Sequence, residues 1–284
     1  MPDRKDYKWT AWMAPRASLE IASCSDPGVM RAYNDDCIAV SERWGVVVLA
    51  DGMGGHQAGD VASRMATETV LAELAGPAPR RIDETRAKHE MRAAVRKANR
   101  AIHGRAQVDR RCAGMGATLV AMRFLPGMAT VAHVGDARLY LLRDDRLKQL
   151  TLDHSLLQEQ VSHGLISGED AKVSHNRNFV TRALGVDEDI EPDMRTVQPR
   201  PGDLYLLCSD GLNDMVDNAD IKLVLGALKG NLELAARQLV MIANDHGGHD
   251  NISVILVKVG EPAAADGLLG RLLGWFGMGR ARHG

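Results

Sequence analysis

Acidic residues occur directly at the ends of short apolar stretches in several parts of the chain. The stretch VVVLA ends in Asp51-Gly52, and the stretch LYLLCS ends in Asp210-Gly211. Three further acidic groups lie beside apolar stretches: Asp250 before Ile252, Asp136 between two such stretches, and Asn34-Asp35-Asp36 before Ile38. Each carboxylate therefore follows or precedes a stiff element that can fix its position.

Several carboxylates in one pocket require a counter-charge. An isolated buried anion is poorly solvated and neighbouring anions repel one another, and bound cations remove both costs. Ligation by oxygen atoms alone favours the hard ions magnesium and manganese over zinc. The glycine at position 52 allows a close approach of the backbone, so that its carbonyl oxygen can also contact a metal ion.

Other interpretations of these motifs fit the residues less well. Asp-Gly is common in hairpin turns, but Asp51-Gly52 is followed by MGGHQAG and a helical segment. Gln57 stands where a dinucleotide-binding loop needs its third glycine, and neither GxxxxGK nor GxSxG occurs. A cysteine-phosphate route needs a glycine-rich Cys-x5-Arg loop, whereas Cys37 to Arg43 runs through an expected strand without glycine.

The composition indicates a folded protein. Of 284 residues, 45% are hydrophobic and only 4% are aromatic, so aliphatic and Met side chains must fill the core. The net charge of -2 excludes a generally basic nucleic-acid coat protein. Four cysteines outside any CxxC pair indicate neither a zinc knuckle nor a disulfide framework, and they fit a reducing cytosol. No signal-peptide segment or membrane-spanning apolar run occurs, so we expect a cytoplasmic protein.

Short aliphatic stretches and separate helical blocks predict the α+β class with antiparallel sheets. Strands are expected at Val46–Ala50, Ala117–Phe124, Met128–Val134, Arg138–Arg143, Asp203–Ser209 and Ile252–Val259. Tight turns are expected at Pro126-Gly127 and Asp144-Asp145. Helices are expected from Gln57 to about Leu74, near Ala219–Asn244, and within the basic stretch Arg80–Arg111, where one apolar stripe comprises Met91, Ala94, Val95, Ala98 and Ile102.

Two segments differ in character from the rest of the chain. Residues 151–198 are polar and irregular, which is typical of a flap beside a site, and we expect His154, His163 and His175 there to be solvated loop histidines. Residues 261–284 follow a Pro/Ala break and contain an apolar cluster at 268–276 with arginines around it. This tail predicts either a short amphipathic helix that contacts a membrane or partner, or a segment packed on the main body.

Eight motifs follow one another between about Arg16 and Gly260. They are Arg31-Ala-Tyr-Asn34-Asp35-Asp36, Asp51-Gly-Met-Gly-Gly55, Gly116-Ala-Thr118, Gly135-Asp136-Ala-Arg138, Thr151-Leu-Asp153-His154-Ser155, Asn178-Phe-Val-Thr181-Arg182-Ala-Leu-Gly185, Ser209-Asp210-Gly211-Leu212 and Asp250-Asn251-Ile-Ser. In this order they resemble the motifs of the metal-dependent protein serine/threonine phosphatases of type 2C, in their compact bacterial form.

The resemblance implies a four-layer α-β-β-α sandwich of two antiparallel sheets flanked by helices. It also implies two to three divalent ions, manganese or magnesium. Asp51 would bridge two of them, with the first ion completed by Asp210 and Asp250 and the second served by the Gly52 carbonyl. Asp136 together with Asp210 resembles the third-ion site of bacterial members, and Asp35 and Asp36 are counted with the metal-binding set. Arg31 matches the guanidinium that holds the substrate phosphate, a role that suits a planar bidentate donor.

The chain departs from the family pattern at a few positions. Asp35 stands where Glu is usual, so its shorter side chain is expected to reach the second ion only through water. Cys37 stands where Ser is common. Met53 follows the Asp-Gly pair, as in other bacterial members, near the place where eukaryotic members carry the His that acts as general acid. His56 lies nearby and is expected to be a surface or capping residue.

The resulting hypothesis is hydrolysis of phosphoserine and phosphothreonine in proteins, by in-line attack of a metal-bridging hydroxide and without a covalent intermediate. Its substrates would be phosphoproteins, including a serine/threonine kinase that it opposes, with no nucleic acid as partner. We expect a monomer in the cytoplasm or at the inner membrane face. Residues 1–15 would form an extension, 16–260 the phosphatase domain and 261–284 an appendage. The alternative is a non-catalytic phosphopeptide-binding pseudophosphatase, against which the intact Asp51, Asp210 and Asp250 argue.

Overall fold

A computed structural model describes residues 17–55, 58–76, 82–167 and 179–262. Its strands are β1 (Ala17–Asp26), β2 (Asp36–Ser41), β3 (Val46–Met53), β4 (Gly116–Ala117), β5 (Leu119–Leu125), β6 (Met128–Val134), β7 (Arg138–Arg143), β8 (Arg146–Gln149), β9 (Asp193–Val197), β10 (Leu204–Cys208) and β11 (Ile252–Pro262). Its helices are α1 (Ala58–Leu74), α2 (Glu84–Val108), α3 (Leu156–Ser162), α4 (Asp210–Asn213), α5 (Asn218–Leu228) and α6 (Leu232–Asp245), and a 3-10 turn covers Arg110–Cys112.

The strands form two antiparallel sheets. The first sheet has the order β1-β11-β10-β7-β8, and the second has the order β2-β3-β5-β6-β9 with β4 paired to β3. Neighbouring strands such as β5 and β6 are joined by two-residue turns, as expected for the short connections of antiparallel sheet. The predicted α+β class is confirmed.

Alternation along the central strands creates the layers. In β3, Val46, Val48 and Ala50 pack in a cluster with α1 and α2, whereas Val47 and Leu49 face the other sheet. Successive residues of a strand point to opposite faces, so a fully apolar strand can contact a helix layer and a sheet layer at once. This explains why VVVLA is uninterrupted by polar residues.

The first sheet repeats this arrangement on the other side of the molecule. Leu204, Leu206 and Cys208 of β10 pack with α5 and α6, while Tyr205 and Leu207 face the core between the sheets. The layers are therefore helix, sheet, sheet and helix, as the predicted four-layer sandwich requires. Aliphatic and Met side chains fill most of this core, as the composition predicts.

Several local predictions are also confirmed. Helix α2 buries the whole predicted stripe, Met91, Ala94, Val95, Ala98 and Ile102. The β7–β8 turn has Asp144 and Asp145 at φ 50° and 58°, the left-handed conformation that a tight hairpin turn needs. The helical block near Ala219–Asn244 is divided in two, because the chain turns at 229–231 before Asn231 caps α6.

The sequence did not predict strands β1 and β9. Both lie at sheet edges and carry alternating polar residues, as in Asp193–Val197, so neither has a continuous apolar run. Strand β9 falls inside the expected flap and pairs with β6, so the last part of that segment belongs to the second sheet. Strand β11 extends to Pro262, two residues into the expected appendage.

Some sequence predictions lie outside the described residues. These are the extension 1–15, His56, His175, Asn178 and the apolar cluster at 268–276. Among the described helices, none is both long and apolar enough to cross a bilayer.

Asn99 fixes residues 185–188 of the flap, which precede strand β9. Its Oδ1 accepts a hydrogen bond from the Gly185 N–H at 2.7 Å, and its Nδ2 donates to the carbonyls of Asp187 and Glu188, both at 3.0 Å. Because Asn99 is buried, its removal leaves these backbone groups without their partner.

We therefore predict that Asn99→Ala lowers the free energy of unfolding by about 1–3 kcal/mol, measured by urea denaturation. Arg100→Ala is the control, since this neighbouring side chain is exposed on the same helix and should change stability by less than about 0.5 kcal/mol. Equal effects of the two substitutions would contradict a structural role for Asn99.

Candidate metal and phosphate site

The predicted acidic residues come together at one end of the sandwich. Asp36 at the start of β2 lies opposite Asp51 in the β2–β3 register. Asp210 follows β10 and Asp250 precedes β11, the neighbouring strand, while Asp136 lies in the turn between β6 and β7. Residues distant in sequence therefore converge because adjacent strands start or end at the same edge.

Asp51 is the centre of this group electrostatically. Burial raises the pKa of the Asp51 carboxyl well above its usual range, and four neighbouring carboxylates raise it further: Asp36, Asp210, Asp136 and Asp250. The pKa of Asp210 is likewise raised well above its usual range, first by burial and then by neighbouring carboxylates, of which Asp136 has the largest effect. Negative charge is thus unfavourable at both residues, and a bound cation would stabilise it.

Asp36 is held by a hydroxyl between the two sheets. The Ser209 hydroxyl donates to Asp36 Oδ2 at 2.7 Å. The Ser209 Oγ in turn accepts from the Ser253 N–H at 2.9 Å. Burial raises the pKa of Asp36 to about 6, although hydrogen bonding with the Ser209 and Ser253 side chains lowers it. Ser209 therefore links strand β2 of one sheet to strand β11 of the other.

Asp136 lies in a tightly constrained turn. Gly135 has φ +99°, and a Cβ there would lie 2.6 Å from the Thr118 side chain, so only glycine fits. Thr118 also contacts Asp51, since its N–H donates to the Asp51 carbonyl at 2.8 Å. Burial raises the pKa of Asp136 to about 7, and the charge of Asp153 raises it as well.

Gly52 lies against the start of helix α1. A Cβ on Gly52 would be 2.0 Å from the Gly59 carbonyl oxygen, so the close approach expected at this position is present. Asp35 meets the same helix, because its Oδ1 accepts from the Asp60 N–H at 3.0 Å. Its carboxylate thus caps α1, a role that the sequence did not predict.

Arg31 and Asp250 form an ion pair at the edge of the site. Arg31 Nη2 lies 2.6 Å from Asp250 Oδ2, with 53% and 31% of the two side chains exposed. The Arg31 loop is fixed by backbone hydrogen bonds from Val29 and Met30 to the Gly248 carbonyl. The predicted phosphate-binding residue therefore lies beside a predicted metal ligand.

Asn251 is a structural residue of the site that the sequence did not single out. Its Oδ1 accepts from the Asp35 N–H at 2.8 Å, and its Nδ2 donates to the carbonyls of Pro27 and Tyr33. It therefore holds the Arg31 loop and the Asp35 backbone against β11. The motif Asp250-Asn251-Ile-Ser contains this residue, but its sequence neighbours do not indicate the role.

A cleft of about 680 Å³ opens beside Asp136 and Asp210. Helix α3, helix α4 and the start of α5 line it, and its charged residues are Asp136, Arg138, Asp153, Asp210, Asp214 and Asp217. Arg138 is already engaged, since its Nη2 lies 2.6 Å from Asp153 Oδ2. The cleft is therefore acidic and leads from the surface towards the carboxylate group.

The residues present fit divalent cations. Oδ1 of Asp36 and Oδ1 of Asp210 are buried and have no hydrogen-bond partner among the described residues, which is costly unless another ligand is supplied. No three His, Cys, Asp or Glu side chains in the described ranges form a ligand set by themselves. Backbone carbonyls and water must complete any set, as is usual for magnesium, which keeps several waters and binds one or two carboxylates.

The other nucleophile and histidine predictions have mixed outcomes. Cys37 lies within strand β2, which agrees with rejecting a cysteine-phosphate loop. His163 is exposed, as expected, but His154 is only 7% exposed and the prediction of a solvated histidine there is wrong. The reason is that the first residues of the flap pack against the Gly135 turn.

Comparison with known proteins places this geometry in a family. The family model described as protein phosphatase 2C matches residues 31–234. The serine/threonine phosphatase stp of Listeria innocua serovar 6a is 38% identical over 237 residues, covering 82% of this chain and 93% of that protein.

Solved structures agree with this match. The catalytic domain of the serine/threonine protein phosphatase PstP, in complex with two manganese ions, is 35% identical with a TM-score of 0.77 over 86% of this chain and 99% of that one. The serine/threonine phosphatase Stp1 of Staphylococcus aureus is 30% identical with a TM-score of 0.80 over 91% and 99% of the two chains. The resemblance inferred from the motifs is confirmed, and the chain belongs to the protein phosphatase 2C family.

Proposed function

We propose that this chain hydrolyses phosphoserine and phosphothreonine in proteins, with divalent cations held by the carboxylate group at the end of the sandwich. The observation that carries the proposal is the convergence of the half-buried carboxylates of Asp51 and Asp210, both with strongly raised pKa, near Asp250, which pairs with Arg31. The family match and the manganese complex of PstP support the same chemistry.

The proposed ligands are the carboxylates at the strand ends and one carbonyl. Asp51, Asp210 and Asp250 with the Gly52 carbonyl would hold two cations, and Asp136 with Asp210 would hold a third. Manganese or magnesium suits this all-oxygen set. When bound, such cations supply Lewis-acid activation of water and neutralise charge on the phosphoryl group.

Asp35 and Asp36 are assigned to the surroundings of the cations. One oxygen of each already accepts a hydrogen bond, from the Asp60 N–H and from the Ser209 hydroxyl. We propose that they orient the nearby backbone and helix α1, with any contact to a cation made through water. This agrees with the expectation that the short side chain of Asp35 acts indirectly.

Arg31 is proposed to bind the substrate phosphate. Its guanidinium has five N–H donors in a planar fork. Nη2 donates to Asp250 and Nε donates to the His249 carbonyl. The ion pair therefore holds the group at the rim of the site in an orientation from which its other donors can meet phosphate oxygens.

The remaining assignments follow from the family. We assign 16–260 to the phosphatase domain, with the flap ending before strand β9, and we propose phosphoproteins, including an opposing serine/threonine kinase, as substrates of a monomeric enzyme. The tail 261–284 keeps its two proposed roles, contact with a membrane or partner and packing on the domain.

Asp51→Asn and Asp210→Asn test the cation ligands. Each should reduce turnover of a phosphothreonine peptide in saturating manganese by at least about 100-fold, because even outer-shell changes cost 10–100-fold at metal sites. Calorimetric titration should also show weaker manganese binding. Asp245→Asn is the matched control, since this exposed carboxylate at the end of α6 lies outside the site.

Unchanged turnover in either site variant would contradict the ligand assignment. Manganese and phosphopeptide binding by the unmodified protein without any hydrolysis would instead identify a pseudophosphatase. Activity that persists after exhaustive EDTA treatment would contradict a metal-dependent reaction altogether.

Arg31→Ala tests phosphate binding. Loss of a charge-assisted hydrogen bond worth about 1.5–3 kcal/mol predicts a KM for phosphopeptides that rises by about 10–100-fold, with kcat changed less. Arg31→Lys keeps the charge but loses the planar fork of donors, so its KM should lie between that of the unmodified protein and that of Arg31→Ala. An unchanged KM in Arg31→Ala would remove this residue from the phosphate role.

The raised carboxylate pKa values predict how stability depends on pH. The folded protein binds protons at Asp136 (pKa about 7) more tightly than the unfolded chain does, so that contribution is lost as pH rises through 7. In EDTA, the contribution of Asp136 should therefore make Tm fall between pH 6.5 and 8.5. The Tm of the Asp136→Asn variant should fall less over the same range. Manganese should raise the Tm of the unmodified protein more at pH 8.5 than at pH 6.5. A Tm in EDTA that rises over this range would contradict the proposed sign.

A further inference from the structure

His154 occupies both backbone polar groups of Gly135. Its ring Nδ1 accepts from the Gly135 N–H at 3.1 Å, and its own backbone N–H donates to the Gly135 carbonyl at 2.7 Å. A single flap residue thus satisfies the donor and the acceptor of the residue directly before Asp136. Two such bonds restrict both the position and the rotation of that peptide.

The hydrogen-bond network assigns the tautomer of His154. A neutral imidazole has one donor and one acceptor nitrogen, and the Gly135 N–H makes Nδ1 the acceptor. The proton then lies on Nε2, which faces Asp193 Oδ2 at 3.5 Å. Arg182 Nη1 also lies 3.0 Å from Nε2, but two donors do not bond each other. Arg182 Nη1 donates instead to Asp193 Oδ1, which lies at the same distance. Burial lowers the pKa of His154, as does the charge of Arg182, which keeps the ring neutral.

The turn is also held by packing. The His154 ring contacts the His133 ring on β6, with the centroids 4.7 Å apart. The Thr118 side chain also lies against this turn and leaves no space for a Cβ on Gly135. The backbone before Asp136 is therefore in contact with both His154 and Thr118, which also bonds Asp51.

His154 also joins the first residues of the flap to residues 180–181 within it. The His154 carbonyl accepts from the Thr181 N–H at 2.8 Å, and the next residue, Ser155, pairs with Val180. Asp153, directly before it, binds the Arg138 guanidinium on the other side of the Asp136 turn. The base of the flap and the Asp136 turn are thus one hydrogen-bonded unit.

We propose that His154 is a positioning residue for Asp136, which fixes the Gly135–Asp136 turn through its Nδ1 acceptor and connects the flap base to the cation shared by Asp136 and Asp210. The inference rests on the function proposed above. It assigns His154 no contact with substrate or cation. A hydrogen-bond acceptor at the Nδ1 position, and not only a side chain that fills the space, determines the affinity of the cation shared by Asp136 and Asp210.

Three substitutions separate the acceptor from the space it occupies. His154→Asn can place an amide oxygen near the Nδ1 position, His154→Gln places it one methylene further out, and His154→Leu fills the space without an acceptor. His163→Leu is the matched control, because this flap histidine is exposed and its ring is hydrogen-bonded to the Glu159 carbonyl of the preceding helix. Manganese binding is followed by calorimetric titration, and Asp136→Asn identifies the binding event that belongs to Asp136.

In His154→Leu and His154→Gln, the manganese ion that is lost in Asp136→Asn should bind at least about 10-fold more weakly. The other binding events should change by less than about 3-fold. His154→Asn should bind that ion within about 3-fold of the unmodified protein, and His163→Leu should equal it. A thermal melt of each variant reports stability separately.

Three results would overturn the proposal. One is unchanged manganese binding in His154→Gln, the variant that decides the question if His154→Leu does not fold. Another is an equal loss in His154→Asn and His154→Gln, which would make the ring itself the requirement. The third is a uniform weakening of all ions together with a lowered Tm, as expected of a purely structural residue. If the unmodified protein bound no manganese, the proposed function would fail as well, which distinguishes that outcome from the others.

Discussion

Mutual repulsion between buried carboxylates is the constraint on which the site depends. Asp51 and Asp210 lie where burial and neighbouring carboxylates both oppose their ionisation. Such groups either take up protons or bind cations, since an uncompensated buried charge is among the most expensive features of a protein. The all-oxygen donor set, the acidic cleft and the oxygens of Asp36 and Asp210 that lack a partner among the described residues all favour cations. The proposed chemistry follows because bound cations neutralise these carboxylates.

The rest of the fold holds the carboxylates in place against that repulsion. Two apolar sheets fix where the strands end, and hydrogen bonds fix the loops that connect them. Ser209 links Asp36 to β11, Thr118 links Asp51 to the Gly135 turn, and Asn251 holds the Arg31 loop. These residues are neutral, so they can be buried near charged groups without adding to the repulsion. Rigid supports of this kind keep donors in position before a ligand arrives.

The sequence predicted those parts of the molecule that depend on local pattern. The apolar part of strand β3, Val46–Ala50, and the stripe of α2 follow from continuous apolar runs and helical spacing, which are visible in short windows. Strand β9 was missed because an edge strand needs only one apolar face, and its polar alternation resembles a loop. His154 was misjudged as solvated because its burial depends on packing against Gly135, nineteen residues away. Asn251 bonds Pro27 and Tyr33, more than 200 residues distant, so its role could not be read from its neighbours.

The most direct test of the central claim is anomalous diffraction from crystals soaked in manganese. The account predicts anomalous peaks beside the carboxylates of Asp51 and Asp210, within the ~2–2.6 Å expected of oxygen ligands to hard divalent ions, with a further peak beside Asp136. Well-diffracting crystals with no peak between these side chains, or with manganese bound only elsewhere on the surface, would contradict it.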